Sequence, residues 1–223
     1  MNKAIIFKEW LKTRKVFWVA LAVAVLFALY AVMSMNRVAT LKGVDHIWLI
    51  MLMKDNTFVS ILQYLPLAIG LALGAAQFVP EMLQKRLKLT LHLPVPMTRL
   101  LIAMIAVGLA ELLIIFALQL LIVVIYDSTF LVPELVGRVT LTTIPWYLAG
   151  FIGYLFTASV CLEGTWRQRL IVGLLGIGSV MVCFLHDAPE AYNGMLWILI
   201  LFVILSTLLS FRSVYRFKEG HQD

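Results

Sequence analysis

Among the residues that could do chemistry, Glu111 stands apart as the one acid deep inside a long apolar run. It lies about 12 residues beyond Arg99, roughly 18 Å along a helix rising 1.5 Å per residue, which is near the middle of a bilayer. A charged carboxylate there costs on the order of a few kcal/mol, so it should face protein or water. Gln119 follows eight residues later, near the same helical face. Two readings stay open: the polar lining of a translocation pathway, or an interhelical hydrogen bond that orients its helix. Other chemistries lack their residues. The sequence has no Gly-x-x-x-x-Gly-Lys-[Ser/Thr] phosphate loop, no His-Glu-x-x-His and no Gly-x-Ser-x-Gly elbow. His92 and His186 are expected on opposite sides of a membrane and cannot share a metal. Cys161 and Cys183 have neither metal-ligand spacing nor an obvious disulfide pairing. No catalytic residue, metal site or cofactor is therefore expected on this chain.

A second constellation could carry contact rather than catalysis. The stretch from Pro80 to Arg99 is the longest polar island in the chain, with Lys85, Arg86, Lys88 and Arg99 against the single acid Glu81. Leu83, Leu87 and Leu91 recur at i, i+4 and i+8, while Lys85, Lys88 and His92 lie off that face. Leu87, Leu89, Leu91 and Leu93 also alternate, which is strand spacing. A lone strand between two spans would leave unpaired backbone edges beside lipid, so the helix is preferred. Leu93-Pro-Val-Pro96 stops it, because a residue before proline is pushed out of the helical region. Such a helix could anchor at the bilayer surface or serve as a handle for a cytosolic partner.

The elements that must hold these residues are membrane spans. The 223 residues are 62% hydrophobic, against about 45–50% in soluble domains. The fold class expected is all-α, a polytopic membrane protein forming one domain over 1–223. Spans are expected at about 16–35, 57–79, 99–126, 140–162, 170–185 and 195–212. Residues 2–15 suit an interfacial helix, with Ile5, Ile6, Phe7, Trp10 and Leu11 among lysines. The run Val16–Met35 follows a basic start but is long for a signal peptide, so it reads as an uncleaved first span. Polar external loops are expected at 36–56, 127–139 and 186–194. Gly70 and Gly74 in span two have the spacing that lets another helix approach, within the chain or from a second copy.

The net charge of +6 concerns topology, not nucleic acid. Of the 18 Lys and Arg residues, only Arg37, Lys42, Lys54 and Arg138 fall in segments expected outside. The rest cluster at the N-terminus, the island, Arg167 and Arg169, and Arg212 to Lys218. This asymmetry predicts both termini and residues 81–98 on the cytoplasmic side of the cell (inner) membrane.

The order of these features resembles a known family. A basic N-terminus (Lys8-Glu-Trp-Leu-Lys-Thr-Arg-Lys15), two spans, then Glu81 and Lys85-Arg-Leu-Lys-Leu-Thr-Leu-His-Leu-Pro-Val-Pro-Met-Thr-Arg-Leu-Leu101 are similar to the membrane subunit of type-2 ABC transporters, the ABC-2 permease or type V exporter class. In that family a leucine-rich helix ending in Leu-Pro-Val-Ser or a similar tetrapeptide joins spans two and three. The family's common acidic opening is replaced here by Gln84-Lys-Arg-Leu-Lys88. The hairpin such proteins often carry before span six would fall around Ala188 to Gly194.

The resemblance implies that residues 81–93 are a coupling helix, with Glu81, Leu83, Lys85, Arg86, Leu87, Lys88, Leu91 and His92 docking on a cytosolic ABC ATPase subunit. It implies that residues 2–15 are an elbow helix and that a second permease, identical or related, completes the pathway. ATP and Mg would sit on the partner chain, and the subunit would serve an exporter while performing no bond chemistry itself. Two other readings stand beside it: a stand-alone carrier or channel using Glu111 as a proton or cation site, and a non-transporting membrane scaffold.

Overall fold

A chain this apolar must satisfy its backbone polar groups internally, and helices do so within one segment. The computed structural model describes residues 2–55, 57–83 and 96–218 and is all-helical, with no strand among the described residues. Its α-helices are α1 (Asn2–Lys42), α2 (Val44–Met53), α3 (Leu65–Leu83), α4 (Met97–Asp127), α5 (Pro133–Leu162), α6 (Trp166–Val182) and α7 (Leu196–Lys218). Among the described residues, five segments are long and apolar enough to cross a membrane: Ala4–Lys42, Ser60–Met82, Thr98–Asp127, Pro133–Leu162 and Asn193–Ser213. The chain is a multi-pass membrane protein. α6 has 17 residues, short of the roughly 20 that a 30 Å core requires.

The elements differ from expectation at three places. Residues 2–15 are not a separate interfacial helix. They open α1, which runs unbroken for 41 residues, about 60 Å at 1.5 Å per residue. No Pro or Gly lies between residues 2 and 42 to break it, and the first glycine, Gly43, ends it with φ of 84°. The expected external loop over 36–56 is largely helical, because α1 continues to Lys42 and α2 fills Val44–Met53. Ile47 and Met51, one turn apart on α2, are its buried contacts. Finally, α3 begins at Leu65 rather than near 57. Pro66 sits in its first turn, where a missing N–H has no intrahelical acceptor to lose.

α5 is the hub. α3 runs parallel to it, with Gly70 set against Gly150 and Gly74 against Thr157 and Tyr154. A Cβ on Gly70 would stand 2.9 Å from the Gly150 carbonyl carbon, so the Gly-x-x-x-Gly pair serves a contact within the chain. α6 packs on α5 at Gly176 and Phe156, and α7 packs on it through a 2.8 Å bond between Ser159 and Ser210. α4 bridges α1 to the rest, and the main core joins Phe17, Ala24, Phe78, Leu112 and Tyr154.

These contacts sort the bundle into two ends. The start of α1, the last turns of α3 and the first half of α4 meet at one end, joined by side-chain bonds among residues 8–13, 77–81 and 104–111. The last turns of α5 and α7 lie at the same end. At the other end, Gln63 bonds Asp187 at 3.0 Å, and the Tyr64 and Phe184 rings stand 5.1 Å apart. There too the Glu190 amide donates to Thr142, and Arg138 pairs with Asp55 at 2.5 Å.

Candidate functional site

The polar residues of the bundle converge at the first of these ends. Glu9, Lys12 and Thr13 are spaced i, i+3 and i+4 on α1, so they share one face, which the apolar side chains of α3 and α4 bury. Gln77 and Glu81 are likewise one turn apart on α3. Glu9, Thr13, Gln77 and Glu81 are all essentially inaccessible.

Lys12 is the pivot. Its ammonium donates to Glu9 Oε2 at 2.8 Å and also to Glu81 Oε1. Lys8, half-exposed at the rim, adds a second cation 3.1 Å from Glu81. The network continues inward, where Gln77 Nε2 donates to Glu9 Oε2 at 3.1 Å and to the Met104 carbonyl of α4 at 2.8 Å. The Tyr154 hydroxyl of α5 donates to Gln77 Oε1 at 2.7 Å. Gly108 of α4 makes that bond possible, because a Cβ there would run into the Tyr154 ring and lie 2.7 Å from Gln77 Oε1. One turn further along α1, the Thr13 hydroxyl donates to Glu111 Oε1 at 2.5 Å.

Four helices are thus tied by one contiguous polar network inside an apolar bundle. Three carboxylates share it with two lysines. Removing water from a carboxylate costs several kcal/mol, and Lys12, set between two of them, offsets that cost. The arrangement fastens the start of α1 to the end of α3 and to the body of α4. Among the described residues, no group of His, Cys, Asp or Glu is arranged to hold a metal ion.

Compared with protein-family models, characterised proteins and solved structures, the chain matches none.

The residues singled out in the sequence divide as follows. Glu81 is 1% exposed and turned into the network, bonded to Lys8 and Lys12. Leu83 is the last residue of α3. Lys85, Arg86, Leu87, Lys88, Leu91 and His92 lie outside the described residues. Glu111 is 3% exposed and held by Thr13. Gln119, two turns on, is buried against α1 and donates to the Ala24 carbonyl at 3.4 Å, so it stands apart from the network. Both lie in the contact between α1 and α4, and neither lines the apolar cleft between α3, α5 and α6.

Sequence reasoning did not reach Glu9, Lys12, Thr13, Gln77, Gly108 or Tyr154 as site residues. A signal was present for three of them. Glu9 is the one acid among the N-terminal lysines, and Gln77 repeats with Glu81 at a helical interval within an apolar run. Lys12 follows Glu9 at i+3.

Proposed function

We propose that this chain is the membrane-spanning subunit of an ATP-driven transporter of the ABC-2 permease type, acting as an exporter. A separate cytosolic ATPase subunit, carrying ATP and Mg, docks on residues 81–93, and a second permease copy or relative completes the assembly. In this reading α6 also crosses, as the fifth of six spans. Its support is that Trp166 follows closely on the end of α5, while Phe184 and Asp187 touch Tyr64 and Gln63 at the start of α3. The basic asymmetry supports a cytoplasmic location for both termini.

The observation that carries the reading is the fastening of both helices that flank residues 84–95. Glu81, two residues before α3 ends, is locked to Lys12. α4, which resumes the chain after them, is locked to α1 through Thr13 and to α3 through Gln77. A force applied between these helices would move a tied frame rather than a loose loop. That is the mechanical requirement for turning a partner's ATP-driven closure into helix motion.

The test is affinity purification of the full chain from its native membranes, followed by an assay of Mg-dependent ATP hydrolysis in the eluate. The wild type should carry an ATPase. The Leu87→Asp, Leu91→Asp double variant should lose it while remaining in the membrane, because buried apolar anchors carry most of an interface's energy. Undiminished ATPase recovery with the double variant would remove these residues as the docking site and reopen the carrier and scaffold readings.

A further inference from the structure

Away from the polar network, α3, α5 and α6 enclose a cleft of about 430 Å³. Leu67 and Leu71 of α3 form one wall, Ile177 and Met181 of α6 the other, and α5 is the floor. Glycines keep it open. A Cβ on Gly173 would meet only Val160, at 3.9 Å, so the α6 wall is bare there. Gly153 lets Leu67 lie against α5, since a Cβ there would stand 2.7 Å from the Leu67 side chain. The one hydroxyl on the floor, Thr157, is spent on the Gly153 carbonyl at 2.8 Å. Ordered water needs two to four polar partners, and this cleft offers none, so it stays dry.

Its length is that of a hydrocarbon segment. From Gly153 to Cys161 the floor extends about 12 Å at 1.5 Å per residue. It lies between two helices that each pack on α5, and Ile177 and Met181 on its rim are exposed on a surface that faces lipid. A slot open along its side takes an unbranched chain more readily than a rigid ring system.

One end of the slot carries charge. Arg169 lies four residues before Gly173, on the same face of α6. Its Nε donates to the Glu163 carbonyl at 2.9 Å, which holds the guanidinium beside the cleft's Cys161 end. Arg167, exposed, lies two residues earlier and so on a different face of α6. Among the described residues no carboxylate forms an ion pair with either arginine. A dry apolar slot ending at a cation with no carboxylate partner is complementary to an anionic headgroup with a hydrocarbon tail.

We propose that the cleft between α3, α5 and α6 is a binding site for one anionic phospholipid of the bilayer, its acyl chain lying in the slot and its phosphate meeting Arg169.

The test uses the full chain in lipid nanodiscs of phosphatidylcholine containing a trace of photoreactive phospholipid with a diazirine on its acyl chain. The probe is either phosphatidylglycerol or phosphatidylcholine. After irradiation, labelled peptides are mapped by mass spectrometry. The phosphatidylglycerol probe should label Leu67, Leu71 and Met181 above the phosphatidylcholine probe, and unlabelled phosphatidylglycerol should compete. Labelling of Leu26 and Met33, on the open face of α1, should be alike for both probes. Gly173→Leu fills the slot without a backbone clash and should bring cleft labelling down to the α1 background. Arg169→Gln should cut the preference for the anionic probe about fivefold, the worth of one juxtamembrane cation at a lipid surface. Cleft labelling that neither competes nor distinguishes the probes would overturn the proposal. So would wild-type cleft labelling in Gly173→Leu with α1 labelling intact. Should Gly173→Leu fail to fold, competition in the wild-type protein decides alone.

Discussion

Thr13 and Glu111 lie 98 positions apart in the chain, and the Thr13 hydroxyl donates to the Glu111 carboxylate over 2.5 Å. The bond ties α1 to α4, and its two ends are not equivalent. Thr13 has a second acceptor, the Glu9 carbonyl at 3.2 Å, whereas Thr13 is the one protein donor to Glu111 among the described residues. Removing the hydroxyl therefore strands a buried carboxyl group, while removing the carboxyl leaves the hydroxyl a partner. Thr13→Val should destabilise the folded protein by about 1–3 kcal/mol, the cost of an unsatisfied buried polar group. Glu111→Leu should cost less, near the roughly 0.6 kcal/mol average of an interhelical hydrogen bond in a membrane, and Glu111→Gln least. Thermal unfolding in detergent micelles checks the order. If Glu111→Leu is the most damaging of the three, the asymmetry argument fails.

Lys12 sits between Glu9 and Glu81, and its own side chain is 10% exposed. Lys12→Met would leave two buried carboxylates with only the rim lysine, Lys8, beside them. Breaking such a pair costs about 3–5 kcal/mol. Lys12→Met combined with Glu81→Gln should recover part of that loss, since one of the stranded charges is then gone. Chemical unfolding in mixed micelles measures both variants. A loss below about 1 kcal/mol for Lys12→Met would mean that the cluster behaves like a solvated surface pair.

Glu111 was legible because an acid in an apolar run must find a partner. Its partner was not, because nothing local links residue 111 to residue 13. Gln77 and Tyr154 were hidden for the same reason. Their roles come from α3, α4 and α5 meeting at Gly108, which is a matter of packing rather than of spacing. The length of α1 could have been read from the absence of Pro and Gly over residues 2–42. It was masked by the change from a basic, mixed segment to an apolar one at Val16, which marks a change of environment but not a break in the helix. α2 was hidden by its flanks: Asp45, His46, Lys54 and Asp55 make the segment look like a polar loop, although Ile47 to Met53 is uniformly apolar.

The glycines of the bundle should respond very differently to one added methyl group. At Gly70 the new Cβ would be driven into the backbone of Gly150, and backbone cannot give way as a side chain can. Gly70→Ala should therefore push α3 off α5 and cost about 1–3 kcal/mol, the range for overpacking. At Gly178 nothing lies within 4 Å, so Gly178→Ala should be neutral or stabilising by up to about 1 kcal/mol through its better helix propensity. Melting temperatures of the two variants, measured side by side, test this. Equal melting temperatures would contradict the close approach of α3 and α5.

The last prediction concerns the number of crossings. α6 is short for a span, yet its two ends have different neighbours. Trp166 follows within a few residues of the end of α5, while Phe184 and Asp187 just beyond it touch Tyr64 and Gln63 at the start of α3. α3 and α5 run parallel, so the start of one and the end of the other are opposite ends of the bundle. A helix that joins them has to cross, and the exposed Leu170, Leu174, Ile177 and Met181 along it suit a lipid contact. The basic residues, clustered at the N-terminus, the island, Arg167 and Arg169, and Arg212 to Lys218, set the direction. In a background lacking Cys161 and Cys183, single cysteines replacing Lys42 and Asp187 should react in intact cells with a membrane-impermeant thiol reagent. Cysteines replacing Lys88, Arg167 and Arg212 should react only after permeabilisation. If the cysteine at Asp187 labels from the same side as that at Arg167, α6 does not cross and the chain has five spans. If all five label from outside, the whole topology is wrong, and with it the cytoplasmic position that docking on an ATPase requires.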